Sequence, residues 1–231
     1  MANTHSLSLV SASTQYGSVS DSASLSETGD LTIEAWVKPT TLPSVAGNNY
    51  AVVSKFITTA HRSYRLYVTT NDKAAFVVSG DGATTTFGEG NTPLLANQWT
   101  YIAGVYTAVS GQVIFYQNGT AEGTTTGFAT SIFDGTAPLL IGAVDPTPTQ
   151  LFNGLVDECR LSDAARSAAY IGTAYNVEVG TDANHIALYR FNQTALDATG
   201  NANDLTLVNS PVYSTDIPFG RASSGLQNKI W

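Results

Sequence analysis

Gly29-Asp-Leu-Thr-Ile-Glu-Ala-Trp-Val-Lys-Pro39 is the stretch that decides the fold class. It is rich in β-branched and aromatic residues and is bounded by Gly and Pro, the pattern of a strand. Gln98-Trp-Thr-Tyr-Ile-Ala-Gly-Val-Tyr106 and Phe152-Asn-Gly-Leu-Val-Asp-Glu-Cys-Arg-Leu161 have the same character. Outward from these three, short alternating runs predict strands at about 6–10, 15–20, 31–38, 50–57, 63–69, 74–79, 98–107, 112–117, 120–126, 138–142, 151–161, 185–191 and 204–208. Asn118-Gly119 supplies two residues suited to positive φ, so the runs on either side form a hairpin with a type I′ turn. Asn118-Gly-Thr120 and Asn192-Gln-Thr194 are also formal glycosylation sequons, and the hairpin alone accounts for the first. One segment breaks the β pattern. Asp163-Ala-Ala-Arg-Ser-Ala-Ala-Tyr-Ile-Gly-Thr-Ala-Tyr175 has Ala-rich helical spacing, with Ser162 or Asp163 placed to cap its first turn.

In their order, the three strand-like runs closely resemble the laminin-G-like branch of the concanavalin A-like lectin/glucanase jelly rolls. The resemblance covers most of the chain. It implies an all-β fold, a two-sheet antiparallel jelly-roll sandwich with one short helix after the 154–161 strand, used to bind or to build. The helix is expected to cover one end of the sandwich. The tail adds a rearrangement: Ala187-Leu-Tyr-Arg-Phe191 followed by Asp197-Ala-Thr-Gly-Asn201 resembles the opening of such domains, here placed last. The order therefore looks circularly permuted, or like one unit cut from a tandem array. Residues 185–210 are expected to fold back beside the N-terminal strand and complete one sheet, or else to be donated to a neighbouring copy. We place a single domain at 1–218 and a tail at 219–231, whose Ile230-Trp231 end is either disordered or docked.

Composition narrows the function classes. A chain of 231 residues can bury a substantial core without staples, and the lone Cys159 permits no intrachain disulfide. Alternation points Cys159 inward as a small hydrophobe and sets Glu158 and Arg160 together on the other face, as an ion pair. Charged residues are 12% of the chain, about half the usual share, and the formal net charge is −8. The few Lys and Arg form no run, so nucleic acid is excluded as a partner, and no apolar stretch is long enough for a membrane span. The opening Met1-Ala-Asn-Thr-His5 lacks the basic and apolar regions of a secretory signal. Three explanations fit: a signal removed by design, a non-classical export route, or assembly inside a cell into a particle later released. The third suits a virion protein.

Candidate chemistry is sparse. Glycosidase relatives in this superfamily carry alternating carboxylates on one strand, which need to sit about 5–9.5 Å apart across a sugar. This chain has no such run; Asp157 and Glu158 are adjacent and are expected on opposite faces. Asp30 with Glu34, and Asp81 with Glu89, are equally unsuited. For calcium, the stretch from Leu140 to Gly154 resembles the pentraxin loop that places an acidic residue and a Gln on the ion, which makes Asp145 and Gln150 the candidate ligands. The acidic partners expected from an earlier loop fall near 58–61, where no carboxylate exists, so Asp145 also reads as the start of a Pro-rich turn. His5, His61 and His185 lack metal spacing, and Gly80-Asp-Gly82 and Gly88-Glu-Gly90 read as turns. Among aromatics, Trp36 and Trp99 are expected in the core. Tyr64, Tyr67, Tyr101 and Tyr106 alternate on strands, and some of them must face outward. Tyr50 and Phe87 lie in or near loops as sugar-platform candidates.

The expectation is a non-enzymatic, lectin-like recognition or coat module, on a virion surface as a decoration or attachment protein. Its partners would be glycans or other coat proteins, with calcium as a candidate cofactor and a homo-oligomer through edge strands. A carbohydrate-binding module of a secreted, extracellular multidomain protein is the alternative, and a glycan hydrolase the third class.

Overall fold

A computed structural model describes residues 3–57 and 60–219. The strands, in chain order, are β1 (Ser6–Leu9), β2 (Tyr16–Val19), β3 (Leu31–Pro39), β4 (Tyr50–Lys55), β5 (Tyr64–Val68), β6 (Lys73–Val78), β7 (Thr86–Pro93), β8 (Thr100–Thr107), β9 (Gln112–Gln117), β10 (Thr120–Thr126), β11 (Leu139–Ile141), β12 (Gly154–Ser162), β13 (His185–Tyr189), β14 (Thr206–Val208) and β15 (Val212–Ser214). Two short helices, α1 (Pro43–Ala46) and α2 (Ala168–Ala174), complete the set. One sheet runs β10-β9-β8-β3-β12-β1-β15, with β13 also paired to β12; the other runs β14-β2-β11-β4-β5-β6-β7. The pairings are antiparallel, so the chain is an all-β sandwich of the jelly-roll kind.

The opening stretch earns its central place in the first sheet by its alternation. Leu31, Ile33, Ala35 and Val37 of β3 point into the space between the sheets. There they join Leu66 and Phe76 from the opposing sheet and Cys159 from β12, as expected of that thiol. Packing is close enough that a β-carbon on Gly104 of β8 would overlap the Phe76 ring. Thr32, Glu34 and Trp36 point the other way. Asn118 (φ 49°) and Gly119 (φ 79°) form the expected turn between β9 and β10.

Several expectations need correction. Gly88-Glu-Gly90 is not a turn but the middle of β7; β-carbons on Gly88 and Gly90 would collide with Thr125 and Glu122, so the two glycines let the edge strands β7 and β10 close on each other. The run hid its strand character because its inward positions are glycines rather than apolar residues. The C-terminal region completes both sheets rather than one: β13 pairs β12, β14 pairs β2, and β15, unseen in the pattern at three residues, pairs β1. These pairings lie within one chain, and β15 beside β1 brings the first and last strands together. The helix α2 starts at Ala168, capped by Ser167, whose Oγ accepts from Tyr170 N at 3.2 Å. Ser162 cannot cap it, because it still pairs with Thr32 in β12 and its hydroxyl accepts from Arg166 Nε at 2.9 Å. Nor does α2 cover an end of the sandwich: Ile171 packs on Trp36, Tyr101 and Tyr116, on the outer face of the first sheet. The Ile230-Trp231 expectation lies outside the described residues.

Candidate functional site

Each sheet has one outer face, and the two are built differently. On the first sheet that face is sealed. Trp36 is buried, but here rather than between the sheets, with Tyr175 and Phe219 against it at 6.3 and 6.1 Å between ring centroids. Trp99 is not core; it is half-buried and its Nε1 donates to Asp216 Oδ1 at 2.8 Å. Beneath α2 lies a charged network. Arg160 Nε stands 3.4 Å from Glu34 Oε2, Tyr101 donates its hydroxyl to the same carboxylate, and Arg160 Nη2 donates to the Ala174 carbonyl at 3.3 Å.

A β-bulge in β12 corrects the reading of its carboxylates. Glu158 and Cys159 together oppose Ala35 of β3, and Glu158 adopts φ 46°. The bulge cancels the alternation, so Asp157 and Glu158 share the outer face with Arg160. Glu158 does not take Arg160 as its ion-pair partner; it stands 3.8 Å from Arg190, which also meets Glu178 at 3.1 Å. Asp157 accepts from Asn3 Nδ2 at 2.8 Å. Burial pushes the Glu158 carboxyl up to about 7 against the pull of Arg160 and Arg190, and holds Asp157 well above the usual carboxylate range. His185, which bonds the Tyr170 hydroxyl through Nε2 at 2.9 Å, is pushed down to about 4 by burial. Glu34, Asp157 and Glu158 are fully buried. No sugar can reach them, so this network holds the sheet to its cover and cannot act on a glycan.

On the second sheet the middle of the outer face is also buried, as a cluster of Ala51, Phe56, Tyr67, Ala75, Val77 and Val144, and the face opens only towards its β7 edge. Alternation along β5 sends Tyr64, Leu66 and Val68 into the core and leaves Arg65 and Tyr67 outside. The Arg65 guanidinium lies 4.0 Å from the Tyr67 ring centroid and 5.2 Å from that of Phe56, and its Nη1 donates to Gln150 Oε1 at 2.8 Å. Directly paired residues share a face. The register Arg65–Val77–Phe87 therefore extends the patch across β6 to β7, and Tyr67–Ala75–Glu89 runs beside it. Phe87 is 60% exposed. Glu89 accepts from Thr69 Oγ1 at 3.0 Å and Asn71 Nδ2 at 3.2 Å. The Gln150 loop is pinned by Ser54 Oγ to the Val144 carbonyl at 2.8 Å and by Val144 N to the Thr149 carbonyl at 3.1 Å. A shallow cleft of about 320 Å³, lined by Ser11, Asn48, Pro148, Thr149 and Gln150, adjoins it.

The candidates from sequence divide accordingly. Phe87 is on this face, though in a strand rather than a loop. Tyr50 is not: it begins β4, is 4% exposed and packs on Phe152 at 5.6 Å. Tyr64 and Tyr106 are core, while Tyr67 and Tyr101 face outward on opposite sheets. Asp145 and Gln150 sit on one loop, but they do not fit a calcium ion. Gln150 offers its amide oxygen to a guanidinium, which would repel a second cation, and Asp145 is 4% exposed. Among the described residues no cluster of three His, Cys, Asp or Glu could hold a metal. Arg65 escaped the sequence reading; its signal was the pattern Tyr64-Arg-Leu-Tyr67, an arginine on the outward parity of an aromatic strand.

A two-sheet antiparallel sandwich of this topology is that of a lectin-like jelly roll. The chain belongs to the Laminin_G_3 family of the concanavalin A-like lectin/glucanases superfamily, whose profile matches residues 11–172. Among solved structures it is similar to a candidate carbohydrate-binding protein from Bacteroides ovatus (TM-score 0.65, 18% identity); the match covers 92% of this chain and 62% of that one. It is also similar to a heptameric SAP-like pentraxin from Limulus polyphemus (TM-score 0.65, 11% identity, 91% of this chain and 94% of that one). A third is the CBM40 of the Ruminococcus gnavus IT-sialidase, solved with α2,3-sialyllactose (TM-score 0.57, 12% identity, 70% of this chain and 94% of that one). At these identities the likeness is one of fold. No curated protein compared with the chain matches it.

Proposed function

We propose that the protein is a non-catalytic carbohydrate-recognition module whose binding surface is the outer face of the β14-β2-β11-β4-β5-β6-β7 sheet. One observation carries the reading. The β7 edge of that face presents an exposed ring, Phe87, beside Glu89 and Asn71, with the buried Tyr67 and Arg65 inboard of it and Gln150 on the adjoining loop, whereas the other face is buried beneath α2 and the C-terminal segment. Sugar recognition needs this pairing of an apolar ring with convergent polar groups. Screening against a glycan array tests it. Binding that Phe87→Ala abolishes, with the melting temperature unchanged, is the expected result. Binding to no glycan, or binding insensitive to both Phe87→Ala and Tyr67→Ala, would sink the proposal.

The setting in which the module works is also a proposal: display on a particle, as a virion decoration or attachment protein. Its support is a core that closes around a free, buried Cys159 without disulfides, compatible with folding in a reducing compartment. The secreted multidomain protein remains the alternative setting. Pairing of β13, β14 and β15 within the chain supports the fold-back reading, and a homo-oligomer through edge strands stays part of the proposal. Light scattering with and without a calcium chelator separates these readings: a closed oligomer that survives chelation favours the particle, a calcium-independent monomer the isolated module.

A further inference from the structure

Lys38, Lys55, Lys73, Arg160, Arg166 and Arg190 each have a carboxylate oxygen within 4.0 Å. Among the described residues Arg65 has none. It is only 8% exposed, and its Nε is buried without a hydrogen-bond partner. A charge withdrawn from water normally carries its counter-ion with it. Burial accordingly depresses the Arg65 guanidinium, with Tyr67 only partly opposing it. Two rings and the Gln150 amide hold the group in place, and among the described residues no carboxylate within 4.0 Å neutralises it. In a chain of formal charge −8, Arg65 and Arg62, whose guanidiniums lie 5.2 and 5.6 Å from the Phe56 ring centroid, put positive charge on one part of an acidic molecule.

We propose that Arg65 anchors an anion subsite that takes the carboxylate of an acidic sugar. The proposal rests on the carbohydrate reading of this face and narrows it to uronic or similar acid-bearing glycans. The planar fork of a guanidinium matches a carboxylate through two parallel hydrogen bonds, which a point charge does not. Gln150 fixes one edge of that fork, and the loop that carries it also borders the adjoining cleft. The position expected for calcium thus carries a cation of the protein's own.

Matched glycans that differ only in a carboxylate, present as the free acid or as its methyl ester, give the test on the full chain. Wild type should bind the acid forms more tightly by about tenfold or more, Arg65→Gln should erase that preference, and Arg65→Lys should restore part of it. Equal binding of acid and ester, unaffected by Arg65→Gln, overturns the subsite and leaves carbohydrate recognition standing. If the array yields no ligand, thermal shift with glucuronate, glucose and inorganic sulfate decides. A rise with glucuronate alone that Arg65→Gln removes supports the subsite even as the broader reading fails. A rise with sulfate as strong as with glucuronate reduces it to an unspecific anion site, and no rise with either overturns it.

Discussion

The outer faces of the two sheets bury arginines under opposite conditions. Arg160, on the sealed face, is fully buried and faces Glu34, Glu158 and the hydroxyl of Tyr101. Burial alone would depress its guanidinium; Glu34, Tyr101 and Glu158 outweigh burial and raise it. Arg65, on the outer face of the second sheet, is nearly as buried, has rings and an amide for company, and is depressed. The difference separates structure from recognition. Both guanidiniums keep buried N–H groups without a hydrogen-bond partner; what separates them is the carboxylate within 4.0 Å, which Arg160 has in Glu34 and Arg65 lacks.

The largest expected effect comes from breaking the Arg160–Glu34 pair. Glu34→Ala leaves Arg160 buried without its closest carboxylate and should cost about 3–5 kcal/mol, read by urea denaturation. Glycan binding by the folded fraction should be unchanged, since the two faces share no residue. Arg65 offers the inverse: it has no pair to lose, so its replacement by Gln should destabilise far less. A loss below about 1 kcal/mol for Glu34→Ala would mean that the sealed face is held by its apolar cluster of Trp36, Tyr101, Tyr116 and Ile171 alone.

A smaller effect should appear with pH. Glu158 titrates at about 7 in the folded chain against a reference of 4.5, so the fold binds this proton more tightly than the unfolded chain. Its contribution is fully present below about 4.5 and is lost as pH rises to about 7. Asp157 shifts in the same direction. His185 works in the other sense: depressed to about 4 from 6.5, it favours the fold above 6.5 and loses that contribution as pH falls through 4. Glu158→Gln removes only the first effect. Between pH 5 and pH 8 the wild type should therefore lose about 1–3 kcal/mol more than the variant. Parallel stability profiles would show that water already reaches Glu158.

How much of this was legible in the sequence depends on the scale of the pattern. Strands such as Leu31–Pro39 announce themselves because alternation is a local property of successive residues. The bulge at Glu158 is not local in this sense. It is fixed by what β3 and β13 require on either side of β12, so the outward turn of Glu158 could not be read from its neighbours. β7 was lost because glycine carries no polarity to alternate. Arg65 could be assigned a side of its strand, but its missing partner could not, because that is a statement about every other carboxylate in the fold. Sequence marked the 140–154 loop as a calcium candidate and missed the guanidinium that occupies Gln150 for the same reason.

The smallest effect lies at the rim of the sealed face, where the chain crosses β3 on its way out. Asp216 accepts from Lys38 Nζ at 2.6 Å and from Trp99 Nε1 at 2.8 Å, while its backbone carbonyl accepts from Ser6 Oγ at 2.7 Å. Burial tends to raise the Asp216 carboxyl, but Lys38 and Trp99 prevail and lower it. The stabilisation is thus present above the ordinary carboxylate range and is lost as pH falls through the depressed value. The carboxylate is 44% exposed, so water and salt screen most of it, and Asp216→Asn should cost under about 1 kcal/mol. Hydrogen exchange at the β1–β15 pairing is the sensitive readout, since loosening there opens the last strand before the rest of the sheet. Faster exchange in Ser214 and its neighbours at low salt, with β12 unchanged, would mark Asp216 as a clasp on the cover. Faster exchange spreading into β12 and Arg160 would instead join the rim to the buried network and make the sealed face one cooperative unit.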